Sequence, residues 1–171
     1  EFMRINQFYM ETSQNMAKYQ GLKSAGKEIE LKYLGVYVLT VTDNSTFKGI
    51  LNIADTVTAV NDKTFESSKE MVDYVNSQTL GDKVKVTYQE DGKVKTAEGK
   101  IIALENGKNG IGIGLIDHTE VSSDVPIKFS TAGIGGPSAG LMFSLSIYTQ
   151  IADPTLRNGR IIAGTGSIDR D

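Results

Sequence analysis

The sequence predicts an α+β fold, because helical and strand-like patterns follow one another in separate blocks rather than in a regular alternation. Residues 5–26 carry apolar side chains at helical spacing, and Gly26 marks the end of that helix. A second helix is predicted at 67–76, where Met71 and Val75 share one face. Short segments rich in β-branched residues surround it, at 36–41, 56–60 and 83–88.

The composition is that of a globular protein and excludes several classes of site. Of the 171 residues, 39% are hydrophobic and 23% are charged, and the net charge is −3. No basic patch dominates, which argues against a nucleic-acid partner. The chain has no cysteine and a single histidine, His118, so thiolate and multi-histidine metal sites are excluded and no metal is expected.

Turn residues and glycines divide the chain further. Asp91-Gly92 predicts the tight turn of a hairpin. The polar, glycine-rich stretch 105–110 is the best domain boundary. Beyond it, a glycine-rich turn at 133–136 leads into a buried helix that ends before Pro154. Further strands are predicted in this part of the chain, at 111–116, 125–129 and 160–166.

One block of the chain resembles a PDZ domain of the kind found in HtrA-type proteases. Residues 33–36, Tyr-Leu-Gly-Val, are similar to the carboxylate-binding loop of that family. Residues 51–61 resemble the segment that follows, with Ala54 where the family usually has glycine. The helix pattern and the hairpin then come in the family's order, so the resemblance covers about 32–104.

This resemblance implies a domain that binds an extended or C-terminal peptide by strand addition. The strand from Val36 would offer a free edge to the peptide, and the helix would form the other wall of the groove. Met71 and Val75 would face the core. The implied peptide-binding residues are Tyr33, Leu34, Gly35, Val36, Tyr37, Val38, Ser68 and Val72.

The segment 135–140, Gly-Gly-Pro-Ser-Ala-Gly, has the features of a nucleophile at the start of a helix. Pro137 suits the first helical turn, where its missing N–H is not needed. Ser138 would then lie among unpaired backbone N–H groups at the positive end of the helix dipole, which favours an alkoxide and an oxyanion. The residues predicted to face the oxyanion and the substrate backbone are Gly136, Pro137 and Ala139.

The same segment resembles the nucleophile motif of Lon-type proteases. Residues 110–115 and 159–169 resemble the flanking segments, so the resemblance covers about 105–171. Gly135 stands where many Lon proteases have an acidic residue, as in the small Lon-like, PDZ-containing branch. The resemblance implies an ATP-independent serine endopeptidase that acts on peptide or protein substrates with a Ser-Lys dyad and without cofactors.

The dyad lysine is the missing part of this interpretation. A serine hydroxyl needs a base, and a lysine can serve only if its pKa is lowered. No lysine follows Ser138 in the sequence, so the catalytic lysine is expected outside this chain, which would bind peptide but cleave it poorly or not at all. Two substitutes are weaker: His118 is predicted in an exposed loop, and Lys128 on the outward face of a strand.

The predicted domains are an N-terminal helical segment over 1–31, a PDZ domain over 32–104 and the first part of a Lon-type proteolytic domain over 105–171. Glu1-Phe2 precede a methionine and are interpreted as a cloning scar. The resemblance further implies a membrane-anchored bacterial protein on the extracytoplasmic face of the cell membrane, and it is compatible with a homo-oligomer.

Two other classes of function stay open. The first is a non-catalytic PDZ scaffold that binds peptides, which labelling with a serine-reactive probe would distinguish from a peptidase. The second is a nucleotide-binding protein, because the glycines of 110–114 and 133–136 resemble phosphate-binding turns. However, the first turn lacks a following helix pattern and the second lacks the P-loop lysine.

Overall fold

A computed structural model describes residues 2–131 and 136–169 of the chain. It confirms the α+β class, with a five-stranded sheet and three α-helices among the described residues. The part of the predicted glycine-rich turn at 132–135 lies outside the described residues, as do Glu1, Arg170 and Asp171. In chain order the elements are α1 (Phe2–Ser24), β1 (Glu30–Val41), β2 (Thr56–Val60), α2 (Ser68–Asn76), β3 (Lys83–Glu90), β4 (Lys93–Lys100), β5 (Ile102–Ala103), β6 (Asn109–Gly110), β7 (Ile113–Ser122), a 3-10 helix (Pro137–Ala139) and α3 (Gly140–Ile151).

The chain divides into two compact units. The sheet unit is continuous in sequence and runs from Tyr33 to His118. The helical unit combines the residues up to Lys32 with those from Thr119 onward. The predicted domain boundary at 104/105 therefore lies within the sheet unit, which includes the first half of β7.

The main sheet has the strand order β4-β3-β2-β1-β7. The pairing of β7 with β1 joins strands that are far apart in sequence: the N–H of Thr42 donates to the Gly112 carbonyl over 2.8 Å, and Gly114 lies against Thr40. From the first contact to the second, the residue number falls on β1 and rises on β7, which indicates an antiparallel pair. Because β1 is paired on both sides, the predicted free edge at Val36 is wrong.

The hairpin of β3 and β4 confirms the turn predicted at Asp91-Gly92. Both turn residues have positive φ, 50° and 76°, as the tight two-residue turn of a hairpin requires. The pairing runs without interruption from Lys83 opposite Lys100 to Glu90 opposite Lys93. The apolar side chains of β3 alternate with polar ones and are buried on one face of the sheet, as the period of a strand dictates.

The sheet and α2 enclose the larger hydrophobic core. Met71 and Val75 of α2 are buried in it, at 2% and 5% exposure, which confirms the predicted inner face of that helix. Ser67 is the N-cap, and its side chain accepts a hydrogen bond from the N–H of Glu70. The buried core residues are Val36, Val38, Phe47, Leu51, Val57, Val60, Phe65, Met71, Val75, Val84, Val86, Tyr88, Ile101 and Ile111.

The helical unit is built on the packing of α1 against α3. At Gly21 the two helices come so close that a Cβ atom would lie 2.9 Å from the Ser144 carbonyl oxygen. A small buried cluster of Ala17, Leu22 and Ile147 lies between the helices. No helix among residues 2–131 and 136–169 is long and apolar enough to span a membrane.

The strand predicted at 160–166 does not form. These residues have no strand assignment, and Ile161 is 94% exposed. A strand is stabilised by hydrogen bonds to a neighbour, and the segment pairs with no strand in the described part of the chain. The run at 125–129 is likewise unpaired, although its side chains alternate between half-buried and exposed, as those of a strand would.

Candidate peptide-binding groove

The outer strand of the sheet, β7, lies beside α2. Near the start of the helix, the N–H of Ser68 donates to Oδ1 of Asp117 in β7 over 3.0 Å. Beyond the other end of the helix, Nδ2 of Asn109 in β6 donates to the Gln78 carbonyl over 2.8 Å. The chain from β6 through β7 therefore runs along α2 from its C-terminal end to its N-terminal end.

The turn that leads into β7 has its carbonyl groups directed to one side. The Ile111 carbonyl accepts from the Ser45 hydroxyl at 2.5 Å, and the Gly112 carbonyl accepts from the Thr42 N–H at 2.8 Å. Gly112 has φ of +72°, a conformation that glycine adopts without steric cost. In a trans peptide the N–H points opposite to the carbonyl of the same plane, so the Gly112 and Ile113 N–H groups point away from Thr42 and Ser45.

Both β7 and α2 carry partly exposed apolar side chains. Ile113 and Leu115 alternate along β7 and pack against the buried core while keeping part of their surface open. Val72 of α2 is also half-buried. Of the predicted peptide-binding residues, Ser68 and Val72 lie on the helix that borders this groove.

The other predicted peptide-binding residues, Tyr33 to Val38, belong to β1. Val36 and Val38 are fully buried, and Gly35 has φ of 138°. A Cβ atom on Gly35 would lie only 2.2 Å from the Val57 carbonyl oxygen, so this glycine permits the close approach of β1 to β2. The segment that resembles a carboxylate-binding loop thus sits inside the sheet, because β7 occupies the edge assigned to the peptide.

Tyr33 and Leu34 are half-buried in the same strand. The Tyr33 hydroxyl is buried and has no hydrogen-bond partner in the described residues. Burial raises the pKa of Tyr33, and the nearby carboxylates of Asp117 and Glu70 raise it further.

His118 is part of β7 and not of an exposed loop, so that prediction is wrong. Its ring stacks on Tyr37 of β1 with 3.9 Å between centroids, and its Nδ1 lies 2.9 Å from the Thr56 hydroxyl of β2. The polar appearance of Ile-Asp-His-Thr-Glu suggested a loop, but in an edge strand alternate side chains can be polar. The signal for this strand in the sequence is Gly-Ile-Gly-Ile at 110–113, which leads into β7.

Ser138 lies in the helical unit, in the 3-10 turn that precedes α3. It is exposed, and its hydroxyl has no hydrogen bond within the described residues. Two amides at this helix start are paired, contrary to the prediction: Gly140 N–H donates to the Pro137 carbonyl, and Leu141 N–H donates to the Gly166 carbonyl at 3.0 Å. In return, the N–H of Gly166 donates to the Ser138 carbonyl at 2.8 Å.

The surroundings of Ser138 include the other predicted site residues, Gly136, Pro137 and Ala139. Gly136 has φ of 102°, which a side chain would disfavour. The Pro137 carbonyl accepts from the Ser13 hydroxyl of α1 at 3.1 Å, which fixes the turn against the helix.

Lys128, considered as a substitute for the dyad lysine, is exposed. No cluster of potential metal ligands occurs among residues 2–131 and 136–169.

The chain is similar to known proteins over about half of its length. A family model described as PDZ domain matches residues 7–101. A crystal structure of the PDZ domain of an SdrC-like protein from Listeria monocytogenes is 35% identical in sequence, with a TM-score of 0.48, over 51% of this chain and 93% of that one.

Two further solved structures that are similar to this chain both come from one SdrC-like protein of Listeria innocua. The crystal structure of the Listeria innocua PDZ domain is 39% identical with a TM-score of 0.46, over 49% of this chain and 96% of that one. A solution structure of the second domain of a Listeria protein is 40% identical with a TM-score of 0.45, over 50% of this chain and 87% of that one. No curated protein matches the chain significantly. Because the family match spans more than half of its residues, this chain belongs to the PDZ-domain family.

Proposed function

We propose that this chain binds the carboxyl terminus of an extended polypeptide by strand addition to β7. The observation that carries the proposal is the position of β7, which is the outer strand of the sheet and lies beside α2. An outer strand has a row of backbone donors and acceptors available to another chain. The helix supplies the opposite wall of the groove.

The pairing within the sheet determines which β7 residues would bind the peptide backbone. In an antiparallel strand the N–H and carbonyl of one residue point to the same side, and successive residues alternate. Because the Gly112 carbonyl faces β1, the Ile113 N–H in the same peptide plane would face the open edge, and by alternation so would the backbone groups of Leu115 and Asp117. The side chains of Ile113 and Leu115 face the core and the groove, so an apolar peptide side chain would pack on them.

The glycine turn before β7 supports binding of a terminal carboxylate. Successive N–H groups in a turn with one left-handed residue form an anion-binding concavity. The Gly112 and Ile113 N–H groups point away from the hydrogen bonds that hold their carbonyls, and are placed to bind a carboxylate where β7 begins. The peptide would then run antiparallel to β7, with its last residue opposite Ile113.

This proposal is tested with peptides that end in an apolar residue and differ only in having a free or an amidated C-terminus. Amidation should weaken binding about tenfold or more, because charge-assisted hydrogen bonds are lost. In NMR titrations, the Gly112, Ile113 and Leu115 amide signals should shift first. Equal affinity for both peptides, or shifts confined to the helical unit, would reject the proposed groove.

We infer, as a second function, that Ser138 is the nucleophile of a Lon-like serine peptidase. The supporting observation is the exposure of Ser138 in a turn at the N-terminal end of α3, with a hydroxyl that has no hydrogen-bond partner in the described residues. The base that activates Ser138 would be the lysine of the Ser-Lys dyad, which the resemblance to Lon-like enzymes implies. The Ser138 hydroxyl would attack a peptide carbonyl and pass its proton through the lysine to the leaving amine, as the peptide C–N bond breaks and an acyl-enzyme forms. Water would then hydrolyse the acyl-enzyme and release the acyl part of the substrate as a carboxylic acid.

The peptidase proposal is tested with the complete gene product and an unfolded protein substrate. Ser138→Ala should abolish cleavage, whereas Ser130→Ala, at an exposed serine in the same unit, should leave it unchanged. Cleavage that survives Ser138→Ala would exclude Ser138 as nucleophile. A location on the extracytoplasmic face of the cell membrane, with a membrane anchor, is part of this same proposal and is tested by fractionation of cells.

A further inference from the structure

We propose that Asp117 makes the groove selective for peptides that carry a lysine or arginine four residues before the C-terminal residue. This inference rests on the proposed binding of a C-terminal peptide to β7. It concerns the end of the groove where α2 begins, at which Asp117 accepts the Ser68 N–H. The other end of the groove would hold the terminal carboxylate.

The spacing along β7 determines which peptide residue meets Asp117. If the last peptide residue lies opposite Ile113, an antiparallel peptide places the residue four positions earlier opposite Asp117. Four strand residues span about 13 Å, and directly opposed side chains have Cβ atoms about 5 Å apart. The two side chains also share a face of the sheet, because four is an even number of strand positions.

Other acidic residues lie at this end of the groove. Glu70, in the first turn of α2, accepts the N–H of Glu66 at 3.0 Å. Burial is the main cause of the raised pKa of Tyr33, and the charges of Asp117 and Glu70 raise it further. A peptide side chain that reaches Asp117 therefore enters a region of negative potential.

Two lysines close in sequence to the start of α2, Lys63 and Lys69, each contact another side chain of this chain. Lys69 Nζ pairs with Asp73 Oδ2 at 2.5 Å, one turn along the helix. Lys63 Nζ lies 5.4 Å from the Phe65 ring centroid and 4.9 Å from that of Tyr74. Charge complementarity at this end of the groove therefore favours a cationic peptide side chain over an anionic one.

The chemistry of Asp117 suits a long basic side chain. An ionised carboxylate has about four acceptor positions, so one carboxylate can accept the Ser68 N–H and also pair with a cationic group. Lysine and arginine can lay their methylene groups along apolar groove residues while the charged group reaches the carboxylate. A glutamate at the same peptide position would be repelled by Asp117 and Glu70.

The test compares three peptides with the same apolar C-terminal residue and lysine, glutamine or glutamate at the fifth position from the end. Wild-type protein should bind the lysine peptide most tightly and the glutamate peptide most weakly. The Kd values of these two peptides should differ about tenfold at low salt, and the difference should shrink as salt is added. Asp117→Asn keeps an oxygen for the Ser68 N–H and should remove most of the difference in Kd between the lysine and glutamate peptides. Glu98→Gln also removes one negative charge, but at an exposed residue of β4 on the far edge of the sheet, and should preserve that difference.

The outcomes separate this inference from the function on which it rests. If no peptide with a free C-terminus binds, the proposed groove and the role of Asp117 both fail. If all three peptides bind equally to wild-type protein, or if Asp117→Asn keeps the full preference for lysine, only the role of Asp117 is overturned. Moving the lysine one position toward the C-terminus places it on the opposite face of the strand and should abolish the preference.

Discussion

Ala54 has a left-handed backbone, with φ of 79°, where glycine is the usual residue in PDZ segments of this kind. Its N–H donates to the Val38 carbonyl at 2.9 Å, so the turn is held against β1. A side chain in this conformation costs about 1–2 kcal/mol, partly offset by the larger unfolded-state entropy of glycine. We expect Ala54→Gly to stabilise the protein by about 0.5–1 kcal/mol in urea unfolding. A lower stability would show that the Ala54 methyl group contributes packing that outweighs the strain.

Asp55 is a buried carboxylate, and burial is the main cause of its raised pKa. The Asn52 N–H, which donates to Oδ2 at 2.8 Å, opposes the shift. Because the pKa is higher in the folded state, stability from Asp55 is present at low pH and is lost as pH rises through the folded-state pKa.

Asp55→Asn removes this dependence on pH. We expect the stability of the variant relative to wild type to increase as pH rises from about 3 to about 6, the range around the ordinary aspartate pKa. Urea unfolding at several pH values measures the difference. Asn44→Ala, at an exposed neutral residue, should show no such trend. A constant or falling difference for Asp55→Asn would contradict the expectation.

Gly21 shows how a contact can reverse the sign of a substitution. In a helix interior, glycine to alanine usually stabilises by about 0.5–1 kcal/mol. Here the added Cβ would lie 2.9 Å from the Ser144 carbonyl oxygen and from Cβ of Ile147, so α1 and α3 would have to separate. We expect Gly21→Ala to lower stability by about 1–3 kcal/mol, measured by thermal or urea unfolding. Ser24→Ala, at the exposed end of α1, should change it by less than about 0.5 kcal/mol.

At the scale of elements, α2 depends on two hydrogen bonds at its start. The Ser67 hydroxyl accepts from the Glu70 N–H at 3.2 Å, and Asp117 accepts from the Ser68 N–H. We expect Ser67→Ala to reduce stability by about 1 kcal/mol, and to weaken peptide binding because α2 is a wall of the proposed groove. Thr64→Ala, at an exposed residue before the helix, serves as the control. An unchanged unfolding midpoint for Ser67→Ala would mean that Asp117 alone suffices as a cap.

The two outer strands of the sheet differ in a way that affects binding. β4 carries lysine at Lys93, Lys95 and Lys100, and lysines on an edge discourage pairing with another chain. β7 instead begins with Ile-Gly-Leu-Ile and follows a glycine turn. Strand addition is therefore favoured at β7 and opposed at β4.

The sequence predicts elements whose signals are local and misses pairings between distant segments. The hairpin turn and the buried face of Met71 and Val75 follow from neighbouring residues, and the structure confirms them. Which strand forms the edge of the sheet could not be predicted from neighbouring residues, because β7 pairs with β1 across about half of the chain. The strand predicted at 160–166 failed for the same reason, since β-propensity does not supply a partner.

At the scale of the whole molecule, each unit has a hydrophobic cluster of its own residues. Every member of the larger core, from Val36 to Ile111, belongs to the sheet unit, and the half-buried side chains that pack on it lie between Tyr33 and Leu115. The cluster of Ala17, Leu22 and Ile147 belongs to the helical unit. The glycine-rich stretch 105–110, predicted as a domain boundary, contains most of the turn between β5 and β6 together with β6 itself, and lies within the sheet unit.

The separation of the cores leads to a prediction about the sheet unit alone. Residues 33–118 contain the complete core and the first half of β7, and domains of this size commonly fold by themselves. We expect this fragment to unfold in one cooperative transition and to bind the C-terminal peptide with the affinity of the whole chain, measured by urea unfolding and fluorescence titration. The same fragment with Val86→Asp, which buries an unpaired charge in the core, should not fold and serves as the negative control. If the unchanged fragment also lacks a transition, segments outside 33–118 contribute essential stability, and the sheet unit is not an autonomous PDZ domain.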